Sequence, residues 1–231
     1  MDMGSLLAEL VEAFLNRNGF DEDHYVNGDG FEDRQTPVGN QLKLLGFDEL
    51  ELMKLRQRRA RGLDIGCGNG SLVNKMIMEH GIDFTGIDKH APEAPYFMRQ
   101  HVTATHPNEG CISVDDNTYD IVVAVQNGVL NCALGDYWKP CDTCSKRAPL
   151  IVYEGARVLK PGGKFIVFPC LNLENELLAS MIPRSLHERG ITKAVNEPMS
   201  VEYLREHYQL RGGKREGIEN EAYRTIFTKA G

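Results

Sequence analysis

Leu63-Asp64-Ile65-Gly66-Cys67-Gly68-Asn69-Gly70 decides the fold. Gly62 to Ile65 is a short strand, and glycines at 66, 68 and 70 follow it at once. Ser71 to His80 then places Leu72, Val73, Met76 and Ile77 at helical spacing. A strand that breaks into a glycine turn and re-forms as a helix is the opening of a β-α-β unit. Glycine lets the backbone turn sharply and lets a ligand approach without meeting a Cβ atom. The first turn of the helix adds N–H groups that have no partner within the helix. The spacing is G-x-G-x-G, with Ser71 where the dinucleotide pattern G-x-G-x-x-G requires its third glycine. A nicotinamide oxidoreductase is therefore disfavoured. Asp64 argues the same way, because a carboxylate beside a pyrophosphate is repulsive, whereas one beside an ammonium group is attractive.

Outward from this stretch the alternation continues. Phe84 to Asp88 and Val102 to Thr105 are short strands, and Tyr119 to Val125 is a near-continuous apolar run, as for a strand covered on both faces. Leu150 to Leu159 reads as a helix stopped by Lys160-Pro161-Gly162-Gly163, a turn into a strand at Lys164 to Phe168. Helical stretches near Leu173 to Met181 and Ser200 to His207 follow, and Ala222 to Thr228 alternates as an antiparallel strand would. Upstream, Leu6 to Leu15 and Val38 to Leu55 are helical patterns separated by a polar, glycine-rich loop, Asn16 to Thr36. The run Arg56 to Arg61 reads as a solvated helix end.

These elements predict an α/β fold: a three-layer sandwich with a mostly parallel seven-stranded sheet, its last strand antiparallel, plus an N-terminal helical lid. Residues 1–61 are expected to form the lid segment and 62–231 the ligand-binding domain. Ligands in such folds bind beyond the carboxyl ends of the strands. Asp88 ends the second strand, where an acidic side chain can accept hydrogen bonds from ribose hydroxyls or cap the following helix; Pro92 and Pro95 delay that helix and favour the ribose role.

At 231 residues the chain is long enough for one domain with a small appendage. It carries 33 acidic and 26 basic residues, for a formal net charge of −7. That balance disfavours nucleic acid as a partner, which needs a basic face. No apolar run is long enough for a membrane helix, and Met1 to Leu15 lacks the basic start and cleavage site of a secretion signal. The expectation is a cytoplasmic protein whose six cysteines are reduced thiols.

Four segments in order resemble the class I (Rossmann-like) S-adenosylmethionine-dependent methyltransferase family: LDIGCGNG (63–70), FTGID (84–88), SVDDNTYDIVVAV (113–125) and EGARVLKPGGKFIV (154–167). The resemblance implies S-adenosyl-L-methionine as cofactor. It implies that Asp64 holds the methionine ammonium, directly or through water, and that Gly66, Cys67, Gly68 and Gly70 form the backbone bed. Asp88 would take both ribose hydroxyls, with Lys89 beside the adenine. Asn108 or Glu109 would meet the adenine amine, where the family often has an acidic residue, and Gln126 would contact the methionine portion. Methyl transfer is an in-line displacement that depends on positioning, so the cofactor motif identifies no catalytic residue.

Ala124-Val125-Gln126-Asn127-Gly128 stands where many enzymes that methylate amino groups of bases carry [DN]-P-P-[YF]. With the acidic charge, this points to a small-molecule acceptor. The alternatives are a protein or RNA acceptor, and a cofactor-binding scaffold without catalysis. Cys141-Asp142-Thr143-Cys144 is a lone C-x-x-C, with Cys111 and Cys132 irregularly spaced upstream, and is read as two free thiols in a 134–147 insertion rather than a metal site. His24, His90, His101, His106, His187 and His207 form no ligand pair. Tyr25, Phe31 and Arg34 are either closing or merely packing residues of the lid.

Overall fold

In the computed structural model, residues 37–68, 70–88, 102–104, 112, 114–125, 130, 142–170, 186–207 and 222–231 are described. The chain divides into two units, Met1–Gln35 and Thr36–Gly231, and all described residues belong to the second. The strands are β1 (Arg61–Ile65), β2 (Asp83–Asp88), β3 (Val102–Ala104), β4 (Tyr119–Val125), β5 (Leu159–Cys170), β6 (Ile191–Met199) and β7 (Ala222–Lys229). They form one sheet in the order β3-β2-β1-β4-β5-β7-β6. The pairings from β3 to β5 are parallel, and β7 runs antiparallel to both β5 and β6. The strand order reverses between β1 and β4, so the crevice beyond their carboxyl ends is the topological switch point.

The helices among the described residues include α1 (Val38–Leu45), α2 (Glu49–Gln57), α3 (Ser71–Met78), α4 (Asp142–Val158) and α5 (Val201–His207). Alternate residues of a strand face opposite layers. Ile121, Val123 and Ile166 share one cluster with Leu42, Leu45, Phe47, Leu52, Leu55, Val73 and Met76, so α1, α2 and α3 build the layer on that side. Opposite it, a Cβ on Gly155 of α4 would lie 2.6 Å from the Phe165 ring. That glycine lets the helix backbone settle against β5.

Several boundaries differ from those the sequence suggests. The pattern over 38–55 is two helices, because Gly46 adopts φ 75° and its N–H and that of Phe47 close α1 onto Lys43 O and Leu42 O. Asp48 then opens α2, its carboxylate accepting from Glu51 N at 2.7 Å. These helices sit inside the Thr36–Gly231 unit and pack into its core. The basic run that starts in the last turn of α2 is exposed at Arg56, Arg58, Arg59 and Arg61, with Arg59 in a left-handed conformation (φ 52°).

Helix α4 begins at Asp142 and runs through Pro149; a proline reads as a helix start, which is why Leu150 looked like its beginning. Lys160-Pro161-Gly162-Gly163 is not a stop before the strand but a bulge within β5. Tyr119 pairs with Leu159, whereas Ile121, two residues on, pairs with Lys164. Gly162 takes φ 75° and donates to Ala230 O. Strand β6 has no apolar alternation to announce it: it lies at the sheet edge, and only Ile191 and Met199 are buried. The expected helix near 173–181 lies outside the described residues, as does the N-terminal segment up to Thr36. No described helix is long and apolar enough to cross a membrane.

Candidate functional site

The glycine turn leaves β1 at the switch point and is tied to the end of β2. Gly66 N and Cys67 N both donate to Ile87 O, at 2.8 and 3.2 Å. Gly68 N donates to Asp88 Oδ2 at 2.8 Å, and Gly70 N closes back on Cys67 O at 3.0 Å. Gly66, Gly68 and Gly70 have φ of 81°, 56° and 79°, a region where a side chain would be strained. All three glycines therefore have a conformational reason, and helix α3 starts directly after them with Asn74 N bonded to Gly70 O.

Cys67 points inward, 8% exposed, against β2. A Cβ on Gly86 would lie 2.6 Å from its Sγ. Glycine inside a strand marks such a close backbone approach, and Gly86 is a site residue that sequence reasoning passed over although FTGID carried that signal. The Ile87 carbonyl was missed too, and a backbone acceptor has no signature of its own. Burial, followed by the charges of Asp64 and Asp88, pushes the Cys67 thiol up, so it packs as an inert thiol.

Asp64 lies between Gly86 of β2 and Val123 of β4 and is 3% exposed. Its Oδ1 has no hydrogen-bond partner. Burial first, and the Asp88 carboxylate second, push its carboxyl up to about 8. A buried carboxylate without a donor is unfavourable by itself, and a ligand cation is the partner that relieves it. The bare backbone bed and this unpaired acid fit the nucleoside and amino-acid ends of S-adenosylmethionine.

The structure brings Asp64, Gly66, Cys67, Gly68, Gly70 and Asp88 together. Asn69, Lys89, Asn108, Glu109, Gln126 and Asn127 lie outside the described residues, as do Tyr25, Phe31, Arg34, His24, His90, His101, His106, Cys111, Cys132 and Cys141. Cys144, expected in a loop, belongs to α4. His207 is buried edge-on to Tyr203, 4.5 Å between ring centroids, a packing role. Among the described residues no group of three or more His, Cys, Asp or Glu is arranged to hold a metal ion.

Residues 63–167 match the family model described as a methyltransferase domain, a little under half of the chain. No curated protein matches the sequence. Solved structures that resemble it include a putative sarcosine dimethylglycine methyltransferase from Galdieria sulphuraria (17% identity, 83% of this chain and 85% of that one, TM-score 0.48). Others are a SAM-dependent methyltransferase from Methanosarcina mazei (17%, 78% and 96%, 0.46) and the N-methyltransferase NodS from Bradyrhizobium japonicum WM9 (17%, 79% and 94%, 0.43). Likeness at this level does not extend to an acceptor.

Proposed function

We propose, from the premise that residues 63–167 are a class I S-adenosylmethionine-dependent methyltransferase domain, that this protein methylates a small-molecule acceptor in the cytoplasm. The cofactor is S-adenosyl-L-methionine. The observation that carries the site assignment is the unpartnered Oδ1 of Asp64 beside a glycine turn that is itself hydrogen-bonded to Asp88.

When bound, the cofactor supplies a methyl group already activated on a cationic sulfur. The protein's task is then to bind, orient and exclude water. Asp64 takes the ammonium and turns an unfavourable buried carboxylate into a paired one. The backbone at Gly66, Gly68 and Gly70 lies against the ligand with no Cβ intervening. Asp88, held in place by Gly68 N, accepts from the ribose hydroxyls. Lys89, Asn108, Glu109 and Gln126 are assigned the adenine and methionine contacts that the family pattern implies. The acceptor-facing role is assigned to residues 134–147. Net charge and the absence of [DN]-P-P-[YF] after β4 support a small acceptor over RNA.

Calorimetric titration with S-adenosylmethionine and S-adenosylhomocysteine tests the reading. The expected result is micromolar binding that Asp88→Ala weakens by about tenfold or more, roughly 1.4 kcal/mol. No heat and no thermal shift with either ligand would overturn it. Binding without methyl transfer across a metabolite screen would favour a scaffold role, and transfer to protein or RNA would replace the acceptor class.

A further inference from the structure

We propose that the cofactor pocket admits its ligand in exchange for a proton. In the ligand-free protein Asp64 is a neutral carboxylic acid, and an arriving α-ammonium group converts it to the carboxylate. The inference rests on the cofactor assignment above and adds a linkage that the assignment alone does not require.

Geometry is the first support. Asp64 is walled by Gly86 on β2 and Val123 on β4, and its Oδ1 meets neither donor nor solvent. The ionisable groups acting on it among the described residues are the Asp88 carboxylate at the end of β2 and the Cys67 thiol in the turn. Neither is a cation, so nothing described in the protein stabilises a charged Asp64. The neutral acid is far less unfavourable in such surroundings. The upward displacement of its carboxyl, to about 8, agrees with that geometry.

The exchange balances simply. The Asp64 O–H bond breaks, the proton passes to the buffer, and the carboxylate pairs with the ligand ammonium. Ligands are thereby sorted by chemistry. A nucleoside carrying an α-amino acid can drive the ionisation; one lacking it cannot.

The test is calorimetry of the full-length protein at about pH 6.5 in buffers of small and large ionisation enthalpy. With S-adenosylhomocysteine the buffer dependence should report close to one proton released per ligand, and affinity should rise about tenfold from pH ~6 to ~7. With 5′-methylthioadenosine, which keeps the nucleoside and lacks the amino acid, no proton should be released. Asp64→Asn should abolish the release and flatten the pH dependence; if that variant does not fold, the two ligands on the wild-type protein still decide. S-adenosylhomocysteine binding without proton release, or equal release with both ligands, would overturn the linkage and leave the cofactor assignment standing. Absence of binding by S-adenosylhomocysteine from pH ~6 to ~8 would overturn both.

Discussion

Gly86 shows how much of the site rests on a missing side chain. Its replacement by alanine puts a Cβ 2.6 Å from Cys67 Sγ, and the turn must shift to accept it. Overpacking of this kind costs about 1–3 kcal/mol. Gly86→Ala should therefore lower the denaturation midpoint and, on the proposed site assignment, also weaken cofactor binding through the displaced turn. Chemical denaturation and calorimetry on the same variant measure the two effects. Asp64 adds a pH dependence. Its carboxyl titrates at about 8 in the folded state against about 3.9 unfolded, so the folded state binds more protons between those values. Ligand-free stability should consequently fall as pH rises from about 4 through about 8. Denaturation curves of wild type and Asp64→Asn, compared over that interval, should converge at low pH and separate as pH rises, with the wild type the less stable.

At the scale of elements, the approach to β4 depends on one arginine of α4. The Arg157 guanidinium donates to Ile112 O at 2.7 Å and Val114 O at 2.8 Å while pairing with Glu154 at 2.8 Å and Asp116 at 2.6 Å. Glu154 is buried and also accepts from Ile112 N. Arg157→Ala would leave that carboxylate without its cation, a loss of about 3–5 kcal/mol for a buried pair broken from one side. The thermal midpoint should drop sharply, and Arg157→Lys should recover only part, since one ammonium cannot span two carbonyls and two carboxylates. The β5 bulge works alike at the start of β4 itself. Lys160 Nζ and Arg61 N both donate to Asp120 Oδ2, at 2.9 and 2.8 Å. Together they hold the Asp120 carboxyl below its usual range against the opposing effect of burial. A Cβ on Gly163 would lie 2.9 Å from Asp120 O, so the second glycine is there for room.

For the molecule as a whole, charge is unevenly shared. Residues 1–36 carry nine acidic and two basic residues, so the remaining chain is formally neutral. The described core, from Leu42 to Phe227, lies entirely in the Thr36–Gly231 unit. Deletion of residues 1–35 should leave a fragment that still melts cooperatively, with little change in midpoint by circular dichroism. It should also be markedly less soluble near pH ~7, because a net charge near zero favours association. A fragment that fails to fold would show that the boundary at residue 35 is misplaced.

Some of this protein is decided by local chemistry and is legible along the chain. Asp64, the three glycines, Asp88 and the apolar run at 119–125 each carry a short-range reason: strand period, positive φ, a carboxylate at a strand end. Those reasons suffice for the alternating α/β order and for the glycine turn and two aspartates of the candidate site. Other features depend on residues distant in sequence, and only tertiary structure decides them. Asp64 has no distinguishing mark as an unpaired acid until β2 and β4 close over it. Lys160-Pro161-Gly162-Gly163 has the composition of a helix stop, yet pairing with β4 makes it a bulge. Strand β6 buries only its two ends and is a strand because β7 supplies the partner. Helices α1 and α2 look like an appendage, and burial of Leu42, Leu45, Phe47, Leu52 and Leu55 against the sheet makes them part of the domain. Local propensity is written in neighbouring residues; burial and pairing are set by which distant surfaces meet.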